Sequence, residues 1–276
     1  MARKSSAKPR QTDLVVETHG IIPGESVRLS EISTKSPIPD GQREPAEKEF
    51  RELREELIET QNRLYAESKQ RLLIVLQAID GGGKDGTIRH CFKGVNPQGV
   101  VVTSFKTPTA HELAHDYLWR VHANVPPKGI IGVFNRSHYE DVLVVRVDEL
   151  VPSAVWEKRY DHINNFEKLL ADEGTTIVKF LLHISKGEQK QRFEKRLEDP
   201  RKFYKYSPED REKAKSWDEY MLAFEDMLTR CSTPWAPWHV IPADQKWYRN
   251  LAVMRTIVAT LRGMNPQYPT SKVAEE

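Results

Sequence analysis

Cysteine is nearly absent: Cys91 and Cys231 are the only two in 276 residues. Two thiols far apart in sequence make no disulfide framework, so the fold must be held by its core, and the expected compartment is the reducing cytoplasm. Long apolar runs are also missing. The most apolar stretch, "LLIVLQAI" at 72–79, is too short to cross a bilayer as a helix, which argues against a membrane partner. The basic start "MARKSSAKPRQTD" has no apolar segment behind it and does not read as a secretory signal. Charge of one sign is lacking too. The formal net charge is only +2, so any site for a polyanion must come from local clustering.

What is present is an alternation. Five short apolar runs, "LLIVLQAI" (72–79), "VVVTSF" (100–105), "GIIGVF" (129–134), "TIVKFLLHI" (176–184) and "WHVIP" (238–242), are separated by helical patterns. In 153–173, Trp156, Tyr160, Ile163, Phe166 and Leu170 recur at helical spacing, and Gly174 stops the helix. Apolar strands alternating with helices predict an α/β fold, a parallel sheet with helices on both faces. Residues 1–44, with the breaker cluster "STKSPIPDG", read as an irregular arm; residues 45–267 form one domain and 268–276 a tail. The charged stretch from Pro45 to Gln70 predicts a long, solvent-facing helix.

The first strand runs into "DGGGKDGT", residues 80–87. Gly81, Gly82, Gly83 and Gly86 let a backbone curl its N–H groups around phosphate oxygens, and a helix start adds partial positive charge. Lys84 supplies a full one, and Asp85 and Thr87 complete the expected phosphate loop. The Walker A spacing would place Gly at 78 and Ser or Thr at 85, where this chain has Ala78 and Asp85. Strand, loop, lysine and helix nevertheless follow in the order a P-loop needs. Asp80, at the strand tip beside phosphates, is a candidate Mg²⁺ ligand. The third strand ends "FNRSHYED", placing Asn135 at the same crevice and Arg136 where a guanidinium can grip phosphate.

Downstream, "QKQRFEKRLEDPRKFYKY" (189–206) concentrates basic residues. Arg192 and Arg196 lie one helical turn apart, and Asp199-Pro200 breaks the helix before Lys202 and Lys205. This predicts a helical lid at about 186–215 that closes on phosphate. Two rival readings arise from the residues themselves. His111-Glu112-Leu113-Ala114-His115 satisfies the H-E-x-x-H pattern of zinc peptidases, but no extended second half follows and it reads as coincidence. An ATP-dependent nucleoside or nucleotide kinase would share the loop and lid. A nucleic-acid partner is not expected, since Trp235 and Trp238 in "PWAPWHVIP" sit beside a strand, where packing suits them better than base stacking.

Five blocks in order, "IDGGGKDGT", "SFKTPTAHELAHDYLWR", "VFNRSHYEDVLV", "RLEDPRKFYKYSPED" and "PWHVIPADQKWYRN", resemble polyphosphate kinase family 2, most closely its class III branch. The resemblance implies a P-loop kinase fold and Mg²⁺-dependent phosphoryl transfer between inorganic polyphosphate and nucleotides. Both nucleoside mono- and diphosphates (AMP and ADP, GMP and GDP) are implied as acceptors. Asp80, Lys84 and Arg136 are then the catalytic residues, with Asp80 and Asn135 nearest the metal; other branches carry Asp where this chain has Asn135. The long first helix and the exposed aromatics favour a homo-oligomer.

Overall fold

The computed structural model describes residues 19–205 and 215–270. Five strands form one parallel sheet: β1 (Arg71–Gln77), β2 (Val100–Ser104), β3 (Ile131–Asn135), β4 (Thr175–His183) and β5 (Trp238–Pro242), in the order β2-β3-β1-β4-β5. β1 is central and buried from Leu72 to Leu76, which explains why it is apolar at each of those five positions. β2 is different. As the edge strand it leaves Val101 and Val102 about half exposed (49% and 47%), so the expected two-sided cover does not extend to it.

The chain leaves β1 toward β2 and β3 on one side, then crosses to β4 and β5 on the other. The carboxyl ends of β1, β3 and β4 therefore border a topological switch point, where open α/β sheets form their ligand crevice. Nine helices are described: α1 (Arg43–Glu67), α2 (Lys84–Cys91), the one-turn α3 (Ala110–Leu113), α4 (Trp119–His122) and α5 (Val144–Val147), then α6 (Ser153–Asp172), α7 (Lys186–Leu197), α8 (Trp217–Cys231) and α9 (Lys246–Met264). Among the described residues no helix is long and apolar enough to cross a membrane.

The helix α1 is less solvent-bound than its charge implies. Ala46, Leu53, Leu57, Gln61 and Leu64 make a buried stripe, and ion pairs tie the helix to α9, with Arg255 donating to both Glu49 oxygens at 2.7 and 2.6 Å. From residue 19 the arm is also packed. His19 to Ile21 run antiparallel along the free edge of β5 through Val240 N–H to the His19 carbonyl (2.9 Å) and Ile21 N–H to the Trp238 carbonyl (2.8 Å). Val27 and Leu29 are buried, and their amides donate to Thr229 and Glu225 on α8. Covering an edge in this way removes an aggregation template.

Candidate active site

The loop after β1 is shaped by its neighbours. Gly82 N–H turns back to the Ile79 carbonyl at 2.9 Å, and a side chain at Gly82 would lie 2.4 Å from the Ala78 methyl. Gly83 has φ +101°, a left-handed conformation that L side chains rarely adopt, and immediately precedes α2. The first amides of α2 have no acceptor within the helix, so the loop and helix start together offer a concavity suited to an anion. Lys84 is the first residue of α2, and its Nζ donates to the Ala78 carbonyl at 2.7 Å. Burial lowers its pKa, while the Asp80 carboxylate works in the opposite direction.

Asp80 and Arg136 meet across the crevice. Arg136 Nη2 donates to Asp80 Oδ1 at 2.8 Å, from a residue held at φ +63° whose own N–H donates to the Leu76 carbonyl at 3.1 Å. That strained turn is anchored from below. Two residues on, His138 and Tyr139 bond Glu167 of α6 at 3.1 and 2.8 Å, and Glu167 is paired with the buried Lys179 of β4 at 2.5 Å. Lys179 also donates to Tyr139 at 2.7 Å and to the Cys231 carbonyl at 2.7 Å, so the buried charges are well satisfied. Asn135 Nδ2 donates to Asp85 Oδ1 at 2.8 Å, joining the tip of β3 to the first turn of α2.

Two expected phosphate contacts are differently employed. Thr87 is buried, its hydroxyl donating to the Gly83 carbonyl at 3.2 Å and its amide to the same oxygen at 3.0 Å; both groups are used inside α2. Arg192 is not an outward lid cation. Its Nη1 donates to the Gly81 and Gly82 carbonyls, both at 2.9 Å, and Nη2 to those of Ala243 (2.5 Å) and Asp244 (3.2 Å). Nε donates to Glu188 at 2.7 Å, so all five N–H groups of the fork have protein acceptors. Gln189 adds a bond to the Asp80 carbonyl at 2.8 Å, and Phe193 lies against Gly81. One face of α7 thus clamps the loop from outside. The half-buried Arg196 lies over the Phe193 ring, 5.1 Å from its centroid, and faces the cleft. The Lys202 and Lys205 side chains, and residues 206–214 of the expected lid, lie outside the described residues.

Two cavities meet here. A basic cleft of about 660 Å³ is lined by the loop, Lys84, Arg89, Lys106, Arg136, Arg192, Lys195, Arg196, Lys246 and Arg249, against only Asp80 and Asp85. The other cavity, about 410 Å³, is walled by Leu113, Leu143, Val144, Val151, Tyr220 and Phe224, with Glu140, Asp141, Arg120 and Arg159 as polar groups. Asp80, Phe105, Lys106 and Arg136 border both. Asp141 accepts from Arg159 at 2.8 Å, and burial pushes its carboxyl up to about 6 despite that partner. Lys106, Arg120, Arg159, Lys246 and Arg249 were not singled out from the sequence. The last two stand inside "PADQKWYRN", where helical periodicity conceals that one turn of α9 faces the cleft.

His111 and His115 are placed otherwise. Glu112 closes a capping box with Thr109, accepting its amide at 2.7 Å while the Thr109 hydroxyl accepts the Glu112 amide at 3.2 Å. Both rings pack on Trp119, His115 stacked at 4.2 Å between centroids. The H-E-x-x-H pattern is a helix cap with an aromatic cluster. Among the described residues, no three His, Cys, Asp or Glu side chains are grouped to hold a metal.

A glycine loop at the switch point of a parallel sheet, a lysine at its helix start and a facing arginine define a P-loop phosphotransferase. The sequence model of polyphosphate kinase 2 (PPK2) matches residues 41–269, and the chain belongs to that family. It is 57% identical over 224 residues to the AMP/ADP-polyphosphate phosphotransferase of Meiothermus ruber, covering 81% of this chain and 84% of that one. The ADP-polyphosphate phosphotransferase of Rhodopseudomonas palustris is 45% identical over 232 residues, covering 80% of each. The crystal structure of polyphosphate kinase 2 from Arthrobacter aurescens TC1 superposes with a TM-score of 0.85 at 40% identity, over 91% of this chain and 94% of that one.

Proposed function

We propose that this chain transfers the terminal phosphoryl group of inorganic polyphosphate to nucleoside mono- and diphosphates, AMP and ADP among them. The observation that carries the reading is the junction of two unlike cavities at Asp80 and Arg136. The apolar cavity suits a nucleoside, with Tyr220 and Phe224 offering ring faces and the carboxylates offering acceptors. The basic cleft suits a chain of phosphates, because among the described residues nine cationic side chains line it against the two carboxylates of Asp80 and Asp85.

In this arrangement a phosphate oxygen of the nucleotide attacks the terminal phosphorus of the polyphosphate. A new P–O bond forms as the bridging P–O bond breaks, and the shortened polyphosphate leaves. The attacking oxygen is already ionised at neutral pH, so positioning and charge stabilisation carry the catalysis. Arg136 at the junction, with the loop amides and Lys84 in the basic cleft, would supply it; Arg192 holds the loop that presents those amides. The donors there fit Mg²⁺: the hard carboxylate of Asp80 at the junction and, in the basic cleft, the amide oxygen of Asn135, whose nitrogen is turned to Asp85. Bound there, Mg²⁺ would neutralise part of the phosphate charge. The similarity to named AMP/ADP- and ADP-polyphosphate phosphotransferases supports the substrate pair.

Incubation with Mg²⁺, polyphosphate and AMP should yield ADP and then ATP, resolved chromatographically, with GMP and GDP tested alongside. Phosphorylation that requires ATP as donor and ignores polyphosphate would refute the proposal.

A further inference from the structure

Beneath the junction the chain buries an ion pair that no substrate reaches. Glu167 of α6 and Lys179 of β4 are both fully buried, and Lys179 stands between Val178 and Phe180 in the middle of the sheet, paired with Val75 of β1. Replacing a buried ion pair by apolar side chains of similar volume is often neutral or stabilising, so core packing alone does not explain the pair. What apolar side chains could not do is hold the turn after β3. Glu167 Oε1 takes hydrogen bonds from His138 Nε2 at 3.1 Å and from Tyr139 Oη at 2.8 Å. Lys179 donates to Glu167 Oε2 at 2.5 Å and to Tyr139 Oη at 2.7 Å. Burial alone would raise the Glu167 carboxyl, yet Lys179 and His138 hold it below the usual carboxylate range, so it stays a charged acceptor.

Ser137 is fully buried as well, and its hydroxyl and the Gln77 amide of β1 are bonded at 3.0 Å. Residues 137–139 are thus pinned from below, and none of them lines either cavity. The residue just before them is Arg136, at φ +63°, a strained conformation that persists only where the surroundings impose it. Asp141, at the far end of the same turn, has an anchor of its own in Arg159, which donates to its carbonyl and carboxylate at 3.1 and 2.8 Å. Arg136 is the cavity residue whose backbone leans on the buried network. We infer that Glu167, held by Lys179, is a positioning residue for Arg136: through His138 and Tyr139 it fixes the strained turn that aims the guanidinium at the phosphoryl group in transfer. This rests on the phosphoryl-transfer reading of Arg136 given above.

Two double variants of the full chain separate positioning from packing. Glu167→Gln with Lys179→Met removes both charges but keeps an amide oxygen for His138 and Tyr139; Glu167→Leu with Lys179→Met removes that acceptor too. Tyr139→Phe, which deletes one hydroxyl from the network, is the milder probe. Polyphosphate-dependent AMP phosphorylation and thermal unfolding are measured for each, in the wild-type and in the Arg136→Ala background. The double variant without the acceptor should lower kcat roughly tenfold to a hundredfold with both KM values within about threefold, as when an aligned group is displaced by about an ångström. The double variant with the acceptor should keep kcat within about fivefold of wild type, and Tyr139→Phe should lower it about twofold to tenfold, the scale of one hydrogen bond. In the Arg136→Ala background these falls should vanish, because the residue through which they act is gone. Equal kcat in the two double variants refutes the inference. So does a Tyr139→Phe that is silent, or whose fall is undiminished without Arg136, and this arm decides the matter even if the variant lacking the acceptor fails to fold. A rise in KM for AMP matching the fall in kcat would place the effect on Glu140 and Asp141 and refutes it too. An Arg136→Ala enzyme with normal kcat, or a wild type that ignores polyphosphate, overturns the reading of the site itself and is seen before any network variant is made.

Discussion

Lys84→Ala should lower kcat for polyphosphate-dependent AMP phosphorylation by several hundredfold or more, the scale of losing one charged contact to a transition state. The ammonium sits at the start of α2, where burial and the Arg136 guanidinium disfavour its charge and the Asp80 carboxylate favours it. Its removal deletes a bond to the Ala78 carbonyl but leaves the loop otherwise held by Gln189, Arg192 and Phe193 from α7. Thermal unfolding should therefore shift by only a few degrees while turnover collapses. Near-normal turnover would remove Lys84 from the reaction.

Asp80→Asn is expected to cost about a hundredfold in kcat and to raise the divalent-cation requirement. The substitution removes the carboxylate at the junction of the two cavities and the partner of Arg136 at 2.8 Å. The pair is partly solvated, so its loss should matter far more to catalysis than to stability. Titrating Mg²⁺ against rate decides this: an unchanged dependence would take Asp80 out of the metal site. Asn135→Asp is the informative contrast. The resemblance to other branches, which carry Asp here, implies that it is tolerated, but it would set a second carboxylate against Asp85, where the amide nitrogen now donates at 2.8 Å. Its activity should therefore be recovered only at raised Mg²⁺.

β1, β3, β4 and β5 were legible because they are buried along most of their length, and β2, though exposed at the edge, keeps the same apolar run of strand length between helices. The loop was legible because strand, glycines, lysine and helix occur in contiguous order. What failed to show was the use of each arginine. Arg192 and Arg196 share a helix face in sequence, but only the structure shows Arg192 turned onto the Gly81 and Gly82 carbonyls and Arg196 facing the cleft. Thr87 reads as a phosphate ligand until its hydroxyl is seen on the Gly83 carbonyl. Arg249 and Lys246 come to the loop across a sequence distance of more than a hundred residues, which helical period cannot reveal. Similarly, the arm from His19 looks irregular in composition, yet it covers the β5 edge through backbone bonds that any side chains could make.

Simultaneous occupancy of the two cavities is the central claim, and a binding titration tests it most directly. AMP titrated calorimetrically into protein saturated with tripolyphosphate, with divalent cations chelated so that no phosphoryl transfer occurs, should bind at one site per chain with an affinity within a few-fold of that for the free protein. The apolar cavity and the basic cleft touch only at Asp80, Phe105, Lys106 and Arg136, so neither ligand should exclude the other. Loss of the AMP isotherm as tripolyphosphate saturates, with an apparent Kd rising in proportion to its concentration, would show a single shared site and contradict the account.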